Sequence, residues 1–321
     1  LLWRNSPGYA AHDEHGPINS LGLRGPEVPL EKTEGVTRSL SLGESSTFGD
    51  GVGWSQTYSA QLEEELRERG VESQVWNAGV RAWSSAQSLR FLQLEMERLD
   101  PDLVLFYHEV NDFLPTVLRN VRVRSAGLTD RETMDLVSGR SALLRLIRSS
   151  RLLTWLSLAR ARTRADSVIQ RVSESTSVDV MLIQILPYQR LAAVPEGARR
   201  RPWMENPNPL VRVPDPDRQA VLGALVDEVE ARGATLVLYH PAYRISVPHR
   251  CLLVRLARER GVPVIDAEAV LQRAAARDGL SKDDYFLTDD RYHPNPAGHR
   301  ALAQASAEFL VKRGLVPARR D

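Results

Sequence analysis

The sequence predicts an α/β fold of three layers, α/β/α, in which a parallel sheet of about five strands carries helical insertions. Two observations lead to this fold class. Short apolar runs alternate with helical patterns from about residue 36 onwards. One of these runs, DLVLFY at 102–107, is apolar enough to be buried on both faces, which is typical of strands in a parallel sheet.

The strands and helices follow in chain order after a lead-in. Residues 1–35 predict an extended lead-in with turns, because they are rich in Gly, Pro, Asn and charged residues. We predict strands at 36–42, 74–77, 102–107, 178–186, 235–239 and 262–265. We predict helices at 55–69, 84–99, 215–232, 248–260 and 296–312, the last with Asn295 as its N-cap.

The α/β domain is expected to span residues 36–321 and to contain two insertions. Residues 114–175 predict a helical insertion, and residues 187–214 a loop insertion. An arginine-rich helical pattern at 141–166 lies within the first insertion. It either packs on the domain with its arginines in solvent or contacts a membrane surface.

Composition places the 321-residue chain among ordinary globular proteins, with 42% hydrophobic and 26% charged residues. The 42 basic and 41 acidic residues leave a net charge of +1, which gives no sign of a nucleic-acid partner. A single cysteine, Cys251, excludes an intramolecular disulfide and a cysteine-based metal cluster. No apolar run reaches the roughly 18 residues that a transmembrane helix needs.

The first candidate for chemistry is the segment GESSTFG at 43–49, which follows the first strand and precedes a helix. In an open parallel sheet, ligands bind beyond the carboxyl ends of the strands. A serine in a tight turn at that place can act as a nucleophile once a base takes its proton. The alternative is an ordinary strand-to-helix turn.

The second candidate is the loop DRYHP at 290–294, just before the last helix. Asp290 lies three residues before His293, so one turn of chain can bring its carboxylate to the imidazole. Such a pair fixes the tautomer of a histidine base and stabilises its charged form. The alternative is a capping turn with a surface histidine.

Two further segments that follow predicted strands can supply hydrogen-bond donors. Asn111 can point its amide N–H groups into an oxyanion hole, and the loop at 77–82 can present backbone N–H groups. The alternative for Asn111 and Asp112 is a simple turn that caps a helix. Together, the four segments supply the nucleophile, base, orienting carboxylate and oxyanion donors that acyl transfer requires.

In this order the segments resemble the motifs of the SGNH (GDSL-type) hydrolase superfamily, over about residues 36–312 with the insertions unmatched. The family's Gly-Asp-Ser-x-Thr-x-Gly resembles 43–49, with Glu44 in place of Asp. Its Asn-x-x-x-x-Gly resembles 77–82, with Ala82 in place of Gly, and its Gly-x-Asn-Asp resembles 109–112, with Glu109 in place of Gly. Its Asp-x-x-His-Pro is matched in full at 290–294.

The resemblance implies a flavodoxin-like sheet and a Ser-His-Asp triad made of Ser45, His293 and Asp290. Ser46 is the rival nucleophile. The oxyanion would be bound by the backbone N–H groups of Ser45 and Ala82 and by the side chain of Asn111, with Gly79 as the fallback donor. Side chains that could line the pocket are Glu109, Phe48, Trp83, His108 and His240. For the aromatic residues and the histidines, core packing or a structural hydrogen bond is the alternative.

The function implied is a serine esterase, acting on a short acyl group such as acetyl on a carbohydrate or another polar substrate. One alternative is an O-acyltransferase that uses the same triad to move the acyl group to a glycan or other hydroxyl. A second is a non-catalytic binding module, which the departures at Glu44, Ala82 and Glu109 motivate. Members of this family need no metal and no cofactor.

The location of the protein is predicted from its lead-in. The segment Asn19-x-x-Gly22-x-Arg24-Gly25 resembles the one that precedes the catalytic domain in membrane-anchored bacterial members. Residues 1–4 are compatible with the tail of a removed signal or anchor segment. We therefore expect an envelope or extracytoplasmic location, with a cytoplasmic one left open. The sequence does not indicate whether the protein is a monomer or an oligomer.

Overall fold

The computed structural model describes residues 4–8, 16–113, 129–131, 134–135, 212–244 and 252–317. Its strands are β1 (Thr37–Gly43), β2 (Ser73–Gly79), β3 (Leu103–Tyr107), β4 (Thr235–His240) and β5 (Val264–Asp266). Its α-helices are α1 (Ser45–Phe48), α2 (Tyr58–Glu68), α3 (Ser85–Leu99), α4 (Asp215–Glu230), α5 (Leu252–Arg260), α6 (Ala267–Asp278) and α7 (Pro296–Lys312).

The sheet has five strands in the order β2-β1-β3-β4-β5, and every pair of neighbours is parallel. Parallel strands need crossover connections, and right-handed crossovers place helices on both faces of the sheet. The order changes direction at β1, because the chain runs first to β2 on one side and then to β3 on the other. This confirms the α/β/α fold class and its flavodoxin-like strand order.

The core lies on both faces of the sheet. On one face, the inward residues of β3 and β4 form a single cluster with α2, α6 and α7, including Leu62, Leu105, Tyr239, Leu271 and Leu302. The helix α3 packs against β1 and buries Phe91, Leu92 and Met96 outside that cluster. All five residues of β3 are buried, as its apolar sequence predicts.

The predicted helix at 55–69 is wrong in its first turn. A short 3₁₀ turn covers Trp54–Gln56, and α2 begins only at Tyr58. Thr57 between them is extended, with a ψ of 151°, and its side chain accepts a hydrogen bond from the N–H of Ala60. A β-branched N-cap of this kind starts a helix rather than continuing one.

Other predictions differ in extent or lie outside the described residues. The second predicted strand continues two residues further, to Gly79, and the last strand begins at Val264 rather than 262. The helix α6 was not predicted, although Asp266 caps its start and Gly279 ends it. Outside the described residues lie the predicted strand at 178–186, the arginine-rich pattern at 141–166, Cys251 and most of both insertions.

The lead-in packs on the edge strand β2, beside the end of α1. Ile18, Asn19, Leu23 and Arg24 are all buried. The oxygen of the Asn19 side chain accepts hydrogen bonds from the N–H groups of Leu21 and Leu23, both at 3.0 Å. Arg24 then donates its backbone N–H to the carbonyl of Asn77 at the end of β2, at 2.8 Å.

The chain divides into two compact units. The larger contains Trp3–Glu109 and Gln219–Asp321, and so holds the sheet; the smaller contains Leu1–Leu2 and Val110–Arg218. Within the smaller unit, the guanidinium of Arg212 donates to the carboxylate of Asp130 at 3.0 Å, and both side chains are buried. Across the described part of the chain, no helix combines the length and apolar character that crossing a membrane requires.

Candidate active site

The tight turn between β1 and α1 depends on two glycines. A Cβ on Gly43 would lie 2.2 Å from the hydroxyl oxygen of Thr47 and 2.4 Å from the carbonyl of Tyr107. A Cβ on Gly79, at the end of the neighbouring strand β2, would lie 2.2 Å from the backbone nitrogen of Phe48. Because neither clash exists, the backbone of α1 lies directly on the carboxyl ends of β1 and β2, with Ser45 as its first residue.

Ser45, His293 and Asp290 form a continuous chain of hydrogen bonds. The hydroxyl of Ser45 lies 2.8 Å from Nε2 of His293, although the two residues are 248 positions apart. Nδ1 of the same ring lies 2.7 Å from Oδ2 of Asp290. The structure therefore brings together the three side chains that the sequence motifs single out, in the order hydroxyl, imidazole, carboxylate.

Asp290 is held in its ionised form by the loop that carries it. Its Oδ1 accepts hydrogen bonds from the backbone N–H groups of Tyr292, at 2.7 Å, and of His293, at 3.0 Å. Burial by itself would raise the pKa of Asp290, but the bond from the His293 ring and these two N–H groups outweigh it and lower the pKa below its usual value. A carboxylate in this state fixes the tautomer of the imidazole.

Ser46, the rival nucleophile, has a different partner. Its side chain is buried, and its hydroxyl donates to the carbonyl of Tyr292 at 3.2 Å. Ser46 thereby ties α1 to the loop at 290–294, while the neighbouring Ser45 contacts the imidazole.

The loop that carries His293 is fixed at several points. Leu287 donates its N–H to the carbonyl of His293 at 3.0 Å, and Asp290 donates its own to the carbonyl of Leu287 at 3.1 Å. From the segment after β4, Arg244 donates its backbone N–H to the carbonyl of Arg291 at 2.9 Å. The loop therefore has little freedom to move the imidazole away from Ser45.

Ala82 occupies a backbone conformation that favours glycine. It lies in an exposed turn closed by a bond from the N–H of Trp83 to the carbonyl of Val80, at 3.2 Å. Its φ of 59° is in the left-handed region, which costs a residue with a Cβ about 1 kcal/mol. The family motif that the segment resembles has a glycine at this position. Ala82 adopts the left-handed conformation that such a glycine would favour.

Gly79 does not fit the role of fallback oxyanion donor. Its backbone N–H already donates to the side-chain oxygen of Asn77 at 2.9 Å. The amide nitrogen of the same Asn77 donates to the carbonyl of Thr47 at 2.7 Å. Asn77 is predicted only as the start of a motif, but its side chain joins β2 to α1 by a hydrogen bond.

Asn111 lies on a 3₁₀ turn, Val110–Phe113, that begins three residues after β3 ends. Its side chain is buried, and so is that of Asp112. The turn belongs to the smaller of the two units, whereas Ser45 belongs to the larger. The part of Asn111 in an oxyanion hole therefore stays a prediction.

The two strand-end histidines have structural partners. Nε2 of His108 lies 2.9 Å from the hydroxyl of Ser88, and its Nδ1 lies 3.8 Å from the carboxylate of Glu44. Nδ1 of His240 lies 3.2 Å from the carboxylate of Asp266. Both rings are buried, which favours the structural interpretation of each.

The remaining pocket candidates are also buried. Trp83 packs on Phe91 with the ring centroids 5.5 Å apart, and Glu109 is 5% exposed. The ring of Phe48 has two guanidinium groups over it, with its centroid 4.4 Å from that of Arg24 and 4.6 Å from that of Arg81. In the residues that the structure describes, no three His, Cys, Asp or Glu side chains form a group that could hold a metal ion.

Comparison with known proteins gives a family for this arrangement. The family model of the GDSL-like lipase/acylhydrolases matches residues 40–306, which is most of the chain. No curated protein matches the sequence.

Several solved structures are similar to the chain at low sequence identity. The lipase/acylhydrolase from Enterococcus faecalis is 14% identical, with a TM-score of 0.48, covering 89% of this chain and all 100% of its own. The acetylxylan esterase Axe2 from Geobacillus stearothermophilus is 14% identical, with a TM-score of 0.43, covering 85% of this chain and 94% of its own. The α/β hydrolase LAE5 from a Lake Arreo metagenome is 15% identical, with a TM-score of 0.45, covering 87% of this chain and 95% of its own.

Proposed function

The chain belongs to the GDSL-like lipase/acylhydrolase family, and we propose that it hydrolyses esters through a covalent acyl-enzyme formed on Ser45. The observation that carries this proposal is the distance of 2.8 Å between the Ser45 hydroxyl and Nε2 of His293. A serine hydroxyl is inert until a base within hydrogen-bond reach takes its proton. Asp290 supports the assignment because its carboxylate holds the other ring nitrogen at 2.7 Å.

The reaction proceeds in two steps. His293 takes the proton of Ser45 as the oxygen attacks the ester carbonyl, and the resulting oxyanion is bound by the N–H groups of Ser45 and Ala82. The C–O bond to the leaving alcohol breaks, and His293 returns the proton to that alcohol. Water, deprotonated by the same imidazole, then attacks the acyl-enzyme, so that the free acid leaves and Ser45 regains its proton.

The substrate we propose is a short acyl ester, such as acetyl, on a carbohydrate or another polar molecule. This choice is carried over from the family resemblance. It is tested with 4-nitrophenyl esters of increasing chain length and with acetylated xylo-oligosaccharides. We expect kcat/KM to fall as the acyl chain lengthens; a maximum at long chains would contradict the short-acyl assignment and leave the esterase assignment standing.

The proposed nucleophile is tested by labelling with a fluorophosphonate, read by peptide mass spectrometry. We expect the label on Ser45 in the wild type, no label in S45A, and a labelling rate lowered by several orders of magnitude in H293A, because the serine and the histidine act as one unit. S46A is the matched control: it loses a bond to the Tyr292 carbonyl, worth about 1 kcal/mol of stability, and should be labelled as the wild type is. A label on Ser46, or none on the folded wild type, would overturn the assignment.

A further inference from the structure

The helix that begins with Ser45 is too short to hold itself in place. It has four residues, and its backbone bonds run from Phe48 to Glu44 and from Gly49 to Ser45, each at 2.8 Å. Forming a single helical turn is unfavourable on its own, and the last carbonyls of a helix have no partner within it. The position of Ser45 therefore depends on groups that bind the carbonyls at the far end of α1.

Arg24, from the lead-in, binds those carbonyls. One of its terminal nitrogens donates to the carbonyls of Phe48 and Gly49, the latter at 2.8 Å, and the other donates to the carbonyl of Val52 at 2.6 Å. The guanidinium also lies over the Phe48 ring at 4.4 Å. A buried positive charge at the carboxyl end of a helix is favoured by the helix dipole.

Arg24 is itself fixed in place from the other side. Its backbone N–H donates to Asn77 at the end of β2, and the next residue, Gly25, has a φ of 133° that a side chain would not tolerate. A Cβ on Gly25 would lie 2.3 Å from the indole nitrogen of Trp54. Arg24 is therefore held at its backbone by β2 and at its guanidinium by the carbonyls at the end of α1.

We propose that Arg24 is a positioning residue for the reaction assigned to Ser45, so that the lead-in is part of the catalytic apparatus. The inference rests on the proposed function. The guanidinium reaches three carbonyls from two nitrogens held in one rigid plane, and the compact ammonium of a lysine, which is a single donor centre on a flexible stem, does not reproduce that geometry. A shift of α1 by about 1 Å would spoil the contact between Ser45 and His293, and misplacement of that size costs about 10²-fold in rate.

The test compares R24K with R38K, a matched control. Arg38 is also buried, lies 4.1 Å from the Trp76 ring, and donates to the carbonyls of Leu99 and Glu31. It lies near the start of β1, whereas Ser45 follows the end of that strand. We expect both variants to lose thermal stability, but only R24K to lose about 10- to 100-fold in kcat and in the rate of Ser45 labelling, with KM little changed.

Two further measurements keep the inference open to refutation. Hydrogen exchange of the peptide 44–52 should be faster in R24K than in the wild type or R38K, and this readout does not depend on any reaction. Should R24K fail to fold, N19A keeps the side chain of Arg24 but removes the two hydrogen bonds that fix the turn before it, so the guanidinium is held less firmly. It should then lower kcat several-fold.

The possible outcomes separate the two proposals. Wild-type kcat and labelling in R24K, or an equal loss in R38K, would overturn the role of Arg24 while leaving the triad intact. A wild type that is never labelled on Ser45 would overturn the proposed function. In that case, equal exchange of 44–52 in R24K and R38K would also remove the link between Arg24 and α1.

Discussion

Asp290 contributes a fixed negative charge and also shapes its own loop, and one substitution separates these roles. In D290N the remaining oxygen can still accept the two backbone N–H groups that Oδ1 accepts, so the loop should keep its shape. The amide can no longer stabilise the charged imidazole. We expect kcat to fall by about 10⁴-fold, the size of effect seen when a triad carboxylate becomes an amide, with little change in melting temperature.

The neighbouring Asp289 offers a matched control for that experiment. It is exposed and has a φ of 60°, a left-handed conformation that asparagine tolerates as well as aspartate. D289N should therefore keep the wild-type kcat. A D290N variant that is as active as D289N would contradict the assignment of Asp290 to the triad.

Ala82 is the place where this chain departs from its family motif at a strained backbone position. A82G should relieve the strain of a φ of 59° while keeping the N–H group, so kcat should stay within about threefold of the wild type. A82V places a β-branched residue in a conformation it rarely adopts, and should lower both stability and kcat. Steady-state kinetics and thermal unfolding of the two variants check this, and a large loss of kcat in A82G would contradict it.

The chemistry of the site was easier to predict than its supports. Asp290 and His293 lie within one turn of chain, so their spacing alone predicts a contact that the structure has. Arg24 and Asn77 both lie in segments that resemble family motifs, but they act through tertiary contacts with α1, which no local spacing predicts. Ser46 carries the same local signal as Ser45, and only the fold separates the hydroxyl that faces the imidazole from the one that braces its loop.

Among the elements, α2 and α7 are joined at their amino ends by His299, which lies within α7. The side chain of His299 is fully buried, and its Nδ1 accepts the N–H of Tyr58 in the first turn of α2, at 3.1 Å. Burial, together with the positive charge of Arg24 and the nearby imidazole of His293, lowers the pKa of His299 to about 3. Only a neutral ring can accept the N–H of Tyr58, because both ring nitrogens of a protonated histidine are donors.

This arrangement predicts an acid-sensitive fold. The pKa of His299 is lower in the folded state, at about 3, than its ordinary value of 6.5, so the unfolded chain binds the extra proton between those values. The stabilisation is present in full above pH 6.5 and is lost as pH falls towards 3, by about 3 kcal/mol between pH 6.5 and pH 4. In H299Q, denaturant unfolding should show a shallower loss over this range; an unchanged slope would contradict the prediction.

The elements that sequence reasoning placed best are those with a single strong period or a clear cap. The strand at 102–107 and the helix after Asn295 match the structure to within one residue. The missed helix α6 carries the same signals, an N-cap at Asp266 and a left-handed glycine at Gly279, but it follows β5 with no intervening loop. A strand that passes directly into a helix gives a short apolar run whose period is ambiguous.

In the whole molecule, the site is assembled from opposite ends of the sequence by the order of the strands. The strand after β1 is added on one side of it, as β2, and the next strand is added on the other side, as β3. Ser45 follows the carboxyl end of β1, where the strand order reverses. Open parallel sheets bind ligands at such a point, beyond the carboxyl ends of the strands. His293 reaches it from the loop before α7, and Arg24 reaches it from the lead-in.

The last prediction concerns the boundary at residue 35 that the composition of the sequence predicts. Deleting residues 1–35 removes Ile18 and Leu23 from the core, each worth about 1.5–3 kcal/mol, and leaves the carbonyls that bind Arg24 unpaired, at about 1–3 kcal/mol each. These losses are as large as the whole free energy of unfolding of a typical domain, about 5–15 kcal/mol. We expect the shortened chain not to fold stably, as measured by denaturant unfolding.

A second truncation distinguishes the packing of the lead-in from any effect of shortening the chain. Deleting residues 1–15 removes the bond from the Asn5 side chain to the Gly79 carbonyl, at 3.1 Å, but keeps Ile18, Leu23 and Arg24. It should lower the free energy of unfolding by only about 1–3 kcal/mol and leave Ser45 open to labelling. If the chain lacking 1–35 were as stable and as reactive as the chain lacking 1–15, the lead-in would be a tether, and neither the core nor the nucleophile would depend on it.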